Sequence, residues 1–255
     1  MGAYFDKMSW LPDRMLMNDL VFRLQYYKND ATWELGDDCL LLIKNKLLMD
    51  SYKAYFGQKS GFTPSYIFEL GMFSGGSIAL WHEIFQPKKI VGADLRENKE
   101  NDYFRRYIAQ NGLSDRIKTY WKTNQADTAR LRQIALAELP EGIDLVFDDA
   151  SHMYEATKQS FEALFPLLRP GGLYIIEDWN WSHSAACQRE DSIWRDKIEL
   201  TRLIFDLAEA VGSSSSAYIS SLQVFDGYAV VEKSGRKFDP GEQFRLERII
   251  SRRQV

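Results

Sequence analysis

Two short acidic runs hold the densest chemical potential in the chain: Asp148-Asp149-Ala150-Ser151-His152 and Glu177-Asp178-Trp179-Asn180-Trp181. Four carboxylates brought to one place repel each other and raise each other's pKa. A divalent cation relieves that repulsion, and donors that are all oxygen select a hard ion such as Mg²⁺. A histidine three residues beyond Asp149 can take a proton near neutral pH, or it can cap the helix that follows. Both runs therefore point to a place where a hard cation is held beside a titratable imidazole, provided that the fold brings them together.

The surrounding pattern supplies that fold. SYIFEL (65–70), KIVGADL (89–95), RIKTYW (116–121), IDLVFDD (143–149) and GLYIIED (172–178) read as strands. Helical spacing is expected near 75–86, 99–111, from about 127, near 154–168 and near 190–211. AYISSLQVF (217–225) and YAVVEK (228–233), separated by Asp226-Gly227, read as a hairpin. The fifth strand is apolar without alternation, as suits burial on both faces. The expected class is α/β: a Rossmann-like, doubly wound, mostly parallel sheet with an antiparallel terminal hairpin. Apolar spacing at Met15, Leu16, Leu20 and Leu24, then over Leu40 to Leu48, adds N-terminal helices, with Asp37 or Asp38 as a cap. Residues 1–60 are expected to form a helical lid or oligomerisation segment, and residues 61–255 the catalytic domain. Ligands of such sheets sit where the strands end, and both acidic runs lie there.

The first strand ends in Glu69-Leu-Gly71-Met-Phe-Ser-Gly75-Gly76-Ser77. Glycines allow a tight turn and close approach of a ligand, and Ser77 with the first helical N–H groups suits a carboxylate. Asp94, ending the second strand, can accept both hydroxyls of a ribose. Phe73 occupies the position where a dinucleotide site needs its second glycine, which disfavours a pyrophosphate.

The E-x-G-x-x-x-G pattern of Glu69, Gly71 and Gly75 resembles the first motif of class I S-adenosylmethionine (SAM) methyltransferases. Pro170-Gly171-Gly172 resembles another landmark of that family, and the likeness covers roughly residues 65 to 233. The acidic runs resemble, more narrowly, metal-dependent sugar O-methyltransferases of the mycinamicin 2''-O-methyltransferase type. That resemblance implies Asp149, Glu177 and Asp178 as metal ligands, His152 as general base and Gln125, in Asn124-Gln125-Ala126-Asp127, as a cofactor contact. Asp148 is expected on the cofactor side of the strand end, as a buried carboxylate bonded to backbone N–H groups. The resemblance also implies a larger amino-terminal domain; about 60 residues stand in its place here, so the acceptor is left open between a sugar and another hydroxylated natural product.

The implied reaction moves the methyl group of SAM to a small-molecule hydroxyl. Rival readings are a SAM-binding but non-catalytic partner subunit, a metal-independent methyltransferase, and a nicotinamide-dependent oxidoreductase, against which Phe73 argues. Trp179 and Trp181 either wall an acceptor pocket or pack in the core; His183 is a lesser candidate for substrate contact, and His82 reads as packed or surface.

The bulk composition agrees. With 255 residues, 45% hydrophobic, 27% charged and a net charge of −4, the chain reads as globular and not as a general nucleic-acid binder. Cys39 and Cys187 are too few for a disulfide framework and read as reduced thiols in a cytoplasmic protein. No signal peptide or membrane span is expected, and a homo-oligomer is compatible with the N-terminal segment.

Overall fold

The strand and helix periodicities take shape as follows over the residues that the computed structural model describes, 5–24, 37–192, 194–213, 217–238 and 243–252. The first elements are β1 (Met8–Trp10), β2 (Arg14–Met17), β3 (Leu20–Leu24), β4 (Leu40–Leu42) and α1 (Lys46–Gln58). The α/β alternation follows with β5 (Tyr66–Leu70), α2 (Gly76–Phe85), β6 (Lys89–Ala93), α3 (Asp102–Gln110), β7 (Ile117–Tyr120), α4 (Thr128–Glu138), β8 (Ile143–Asp148), α5 (Tyr154–Leu164) and β9 (Leu168–Glu177). It closes with α6 (Ala185–Gln188), α7 (Thr201–Gly212), β10 (Ile219–Phe225) and β11 (Tyr228–Lys233). The chain divides into two compact units: Met1–Ser65 with Met72–Lys122, and Tyr66–Gly71 with Thr123–Val255.

In the first unit β1, β2 and β3 are antiparallel neighbours, β3 pairs with β4 in parallel, and β6 pairs with β7 in parallel. Here the helical expectation for residues 13–24 is corrected. Met15, Met17, Leu20, Phe22 and Leu24 are buried at every second position along β2 and β3, the period of a strand. The Asn18-Asp19 turn joins the two strands, with Met17 opposite Leu20. Asn18 takes φ 50 there, a left-handed conformation that asparagine tolerates better than most residues. The Leu40 end of the second expected helix is β4, and the helix itself starts at Lys46, capped not by Asp37 or Asp38 but by Asn45, whose side chain accepts from the Leu48 N–H at 2.9 Å. Its buried Tyr52 and Phe56 meet Trp81 and Phe85 of α2 at ring separations of 5.7 and 5.0 Å. Burying an apolar side chain of that kind contributes roughly 1.5–3 kcal/mol.

In the second unit the strands run in the order β10-β11-β9-β8-β5. β5, β8 and β9 are parallel, and β11 and β10 are antiparallel additions. The α/β, mostly parallel class with a terminal hairpin is thus the class observed. Register decides what lies level with what. Leu70 is opposite Asp148, Asp148 opposite Ile176, and Glu177 opposite Tyr228. The ends of three parallel strands and the tip of the hairpin therefore share one edge.

The expected helix near 190–211 is shorter, running from Thr201 to Gly212. Residues 189–192 and 194–197 instead make i→i+3 turns, such as Ser192 N to Arg189 O at 3.1 Å and Lys197 N to Trp194 O at 3.0 Å. The charged residues there pair locally, as Arg189 does with Asp191 at 2.6 Å, and present no apolar stripe for a helix to bury. No helix among the described residues is long and apolar enough to cross a membrane.

Candidate active site

The end of β8 sends two adjacent aspartates to different surroundings. Successive strand side chains point to opposite faces, and Asp148 points inward, with 2% of its surface exposed. Gln125 Nε2, the Ser160 hydroxyl and the Tyr174 hydroxyl each donate to it at 2.6 Å. The expected backbone N–H partners are thus replaced by side-chain donors. Burial pushes Asp148 up to about 6, against those three hydrogen bonds, which favour the carboxylate. The Gln125 amide is used at both ends: its Oε1 accepts from the Ser151 N–H at 3.2 Å and the Ser151 hydroxyl at 2.6 Å. Asp127 caps α4, accepting from the Arg130 N–H at 2.9 Å.

Asp149 lies outside this network. Ligand atoms of Asp149, His152 and Asp178 all fall within 4.8 Å of one another. His152 Nε2 is 3.8 Å from Asp149 Oδ1 and 3.8 Å from Asp178 Oδ2. Asp149 and His152 are half-buried and Asp178 is exposed, so the group is open on one side. His152 Nδ1 is buried and has no hydrogen-bond partner among the described residues. His152 and Asp178 both have left-handed backbones, φ 56 and 53. Two carboxylates and an imidazole at this spacing form a donor set that one divalent cation can bridge.

Glu177, expected in the same ligand set, does not join it. It is the last residue of β9, 2% exposed, and the alternation of the strand separates it from Asp178. Gly71, at the end of β5, has φ +85, and a Cβ there would lie 1.9 Å from the Asp149 carbonyl oxygen. Only glycine allows the β5 turn and the end of β8 to approach so closely. Glu69, in β5, is fully buried.

The remaining expected residues belong to the first unit. Asp94 accepts from the Phe73 N–H at 2.9 Å and the Arg96 N–H at 2.8 Å. It thereby fixes Phe73, which has φ 53 and carries the Arg96 guanidinium 4.2 Å above its ring. Gly75, at φ +90, starts α2, and a Cβ there would lie 2.8 Å from the Phe104 ring. Ser77 is half-buried in the first turn of α2. His82 is packed, 4% exposed, with Nδ1 2.7 Å from the Tyr107 hydroxyl.

Sequence reasoning missed several partners. Ser160 and Thr157 are polar residues one turn apart on the buried face of α5, a pattern that marks a partner for a buried polar group. Tyr174, in a continuous apolar strand, gave no such sign. Trp181 donates from Nε1 to the His152 carbonyl at 2.8 Å, and its ring packs on Trp194 at 5.2 Å. Trp179 donates to the Phe225 carbonyl at 2.9 Å, and His183 Nε2 lies 2.9 Å from the Thr201 hydroxyl.

Residues 68–179 match a family model described as a methyltransferase domain. The matched stretch includes the glycine turn, Asp94, the first acidic run and the second as far as Trp179. Over 114 residues the chain is 34% identical to an 8-demethyl-8-α-L-rhamnosyl tetracenomycin-C 2'-O-methyltransferase of Streptomyces olivaceus, covering 45% of this chain and 26% of that protein. Over 106 residues it is 37% identical to mycinamicin VI 2''-O-methyltransferase of Micromonospora griseorubida, covering 42% and 23%. The chain spans about a quarter of the length of these relatives. Among solved structures it is similar to the MycE methyltransferase from the mycinamycin biosynthetic pathway in complex with Mg and SAH (S-adenosylhomocysteine). That match has a TM-score of 0.55 and 26% identity, over 73% of this chain and 48% of that one. The matched residues therefore share sequence with proteins named as O-methyltransferases, and the chain shares a fold with MycE.

Proposed function

We propose that this chain is a SAM-dependent O-methyltransferase acting on a hydroxyl of a sugar or another small natural product, with His152 as general base beside a divalent cation site. The observation that carries the reading is the convergence of Asp149, His152 and Asp178 within 4.8 Å inside a methyltransferase domain. The relatives named above are by name a rhamnosyl tetracenomycin-C 2'-O-methyltransferase and a mycinamicin VI 2''-O-methyltransferase, and the MycE structure holds Mg and SAH.

The residues that the sequence assigns to the cofactor are Glu69, Gly71, Gly75, Ser77, Asp94, Gln125 and Asp148. Gln125 and Asp148 support the strand end from behind through their shared hydrogen bond. Asp149 and Asp178 would hold a cation such as Mg²⁺. When bound, the ion supplies positive charge that acidifies the acceptor hydroxyl and fixes its position. His152 takes the hydroxyl proton at Nε2, which stands 3.8 Å from both Asp149 and Asp178. The acceptor oxygen bonds to the methyl carbon as the carbon–sulfur bond breaks, leaving SAH and a methyl ether. Orienting the two reactants is the larger part of such catalysis.

The same spacing favours a second reading, in which His152 is a third ligand of the cation rather than the base. His152→Ala separates the two. A base loses turnover and keeps cation affinity; a ligand loses both.

Calorimetric titration with SAH, with NADH as control, tests the cofactor class. Saturable SAH binding and none for NADH is the expected result, and absence of SAH binding by folded protein defeats the proposal. Methyl transfer to glycoside acceptors, followed as a mass gain, is expected to stop in excess chelator. Full activity in chelator removes the cation from the reading.

A further inference from the structure

Left-handed backbone costs a residue with a Cβ on the order of 1–2 kcal/mol, and it persists where the surroundings over-determine it. His152 and Asp178 are both such residues. The surroundings of Asp178 are clear. Its N–H donates to the Gly227 carbonyl at 2.6 Å. Trp179 Nε1 donates to the Phe225 carbonyl at 2.9 Å, and Asn180 Nδ2 to Asp226 Oδ1 at 2.9 Å. Three consecutive residues thus bond to three consecutive residues of the hairpin turn. The fourth, Trp181, bonds the other way, to the His152 carbonyl at 2.8 Å. On its other side the His152 peptide is held by Ser151, whose N–H and hydroxyl both donate to Gln125.

We propose that Trp181 is a positioning residue for His152: its indole N–H fixes the His152 carbonyl, and with it the left-handed turn that aims the imidazole at Asp149 and Asp178. Residues 178–181 act as a clamp that ties the histidine turn to the β10–β11 turn. The inference deepens the reading of His152 as general base and rests on it. It distinguishes Trp181 from a wall of the acceptor pocket, because a wall residue contributes through contact with the acceptor and a positioning residue through the rate of proton removal.

Trp181→Phe tests this, since it keeps an aromatic ring against Trp194 and deletes the N–H. The expected result is a fall in kcat of about 10–100-fold, the scale that a misplaced catalytic group produces, with acceptor KM and SAH affinity within about twofold of the parent. A readout independent of turnover is the ring resonance of His152 in histidine-labelled protein, where the chain's three histidines give three signals. The His152 signal moves in Trp181→Phe while those of His82 and His183 stay. Trp194→Phe, which keeps the indole bond of Trp181, leaves the His152 signal in place. An unchanged kcat with an unmoved His152 signal overturns the proposal, and so does a raised acceptor KM at parental kcat. If the parent protein transfers no methyl group, the base reading fails; a displaced His152 signal in Trp181→Phe still upholds the clamp, and an unmoved one overturns it.

Discussion

Asp148 and Asp149 are neighbours in the chain and opposites in the fold. Asp148 is enclosed by Gln125, Ser160 and Tyr174, each donating at 2.6 Å. Asp149 faces a half-open cluster in which the closest imidazole nitrogen stands 3.8 Å away, beyond hydrogen-bond reach. One carboxylate is enclosed by side-chain donors, and the other stands in a cluster open on one side. Saturated polar networks of the first kind rigidify a fold. Left-handed residues such as His152 and Asp178 in the second gather where ligands and chemistry are. An acidic pair at a strand end can therefore hold a structural and a chemical carboxylate side by side.

The contrast can be broken from either side. The largest effect is expected from His152→Ala, which should lower methyl transfer about 10²–10⁴-fold, the range of a lost general base, while urea unfolding stays where it was. Next is Asp148→Ala, which leaves three buried donors without their acceptor and should cost about 3 kcal/mol or more in urea unfolding.

A third test uses pH. The folded value of Asp148, about 6, lies above its ordinary 3.8. The folded state thus binds this proton more tightly than the unfolded one. The stability it gives is present below about 3.8 and is lost as pH rises through about 6, a change of about 3 kcal/mol. In chelator-treated protein, Asp148→Asn should therefore gain stability relative to the parent between pH 4 and pH 7; a constant difference contradicts the raised value. The smallest expected effect is at the open site. Asp178→Gly removes a left-handed Cβ and should raise stability by up to about 1 kcal/mol while abolishing cation binding. A clear loss of stability would show that Asp178 belongs with the structural kind.

Most of the second unit was legible because burial imposes simple patterns on parallel strands: β5 is buried at every position and is followed by Gly71, and the last part of β9 is a continuous apolar run that ends in Glu177. The N-terminal region was not. Met15, Leu16, Leu20 and Leu24 fit a helix, while the same stretch read as Met15, Met17, Leu20, Phe22 and Leu24 fits two strands, and the Asn18-Asp19 turn is a weak signal beside Asn-Gly. At the site, Asp149, His152 and Asp178 were readable from type and spacing. Glu177 lies outside their group, and chain adjacency hides which face of a strand a side chain takes. The partners of Asp148 and the bond from Trp181 to His152 depend on register between distant elements, and no local pattern carries that.

The hairpin turn has a temporal meaning as well. Asp178 and Trp179 are anchored to a turn that lies some 46 residues further along the chain. A nascent chain that has reached β9 carries every acid and the histidine, but its Asp178 has no Gly227 carbonyl to hold it. Contacts this distant in sequence form late. The order of synthesis thus keeps the cluster unassembled until the final hairpin closes, and a truncated product inherits the residues without the geometry.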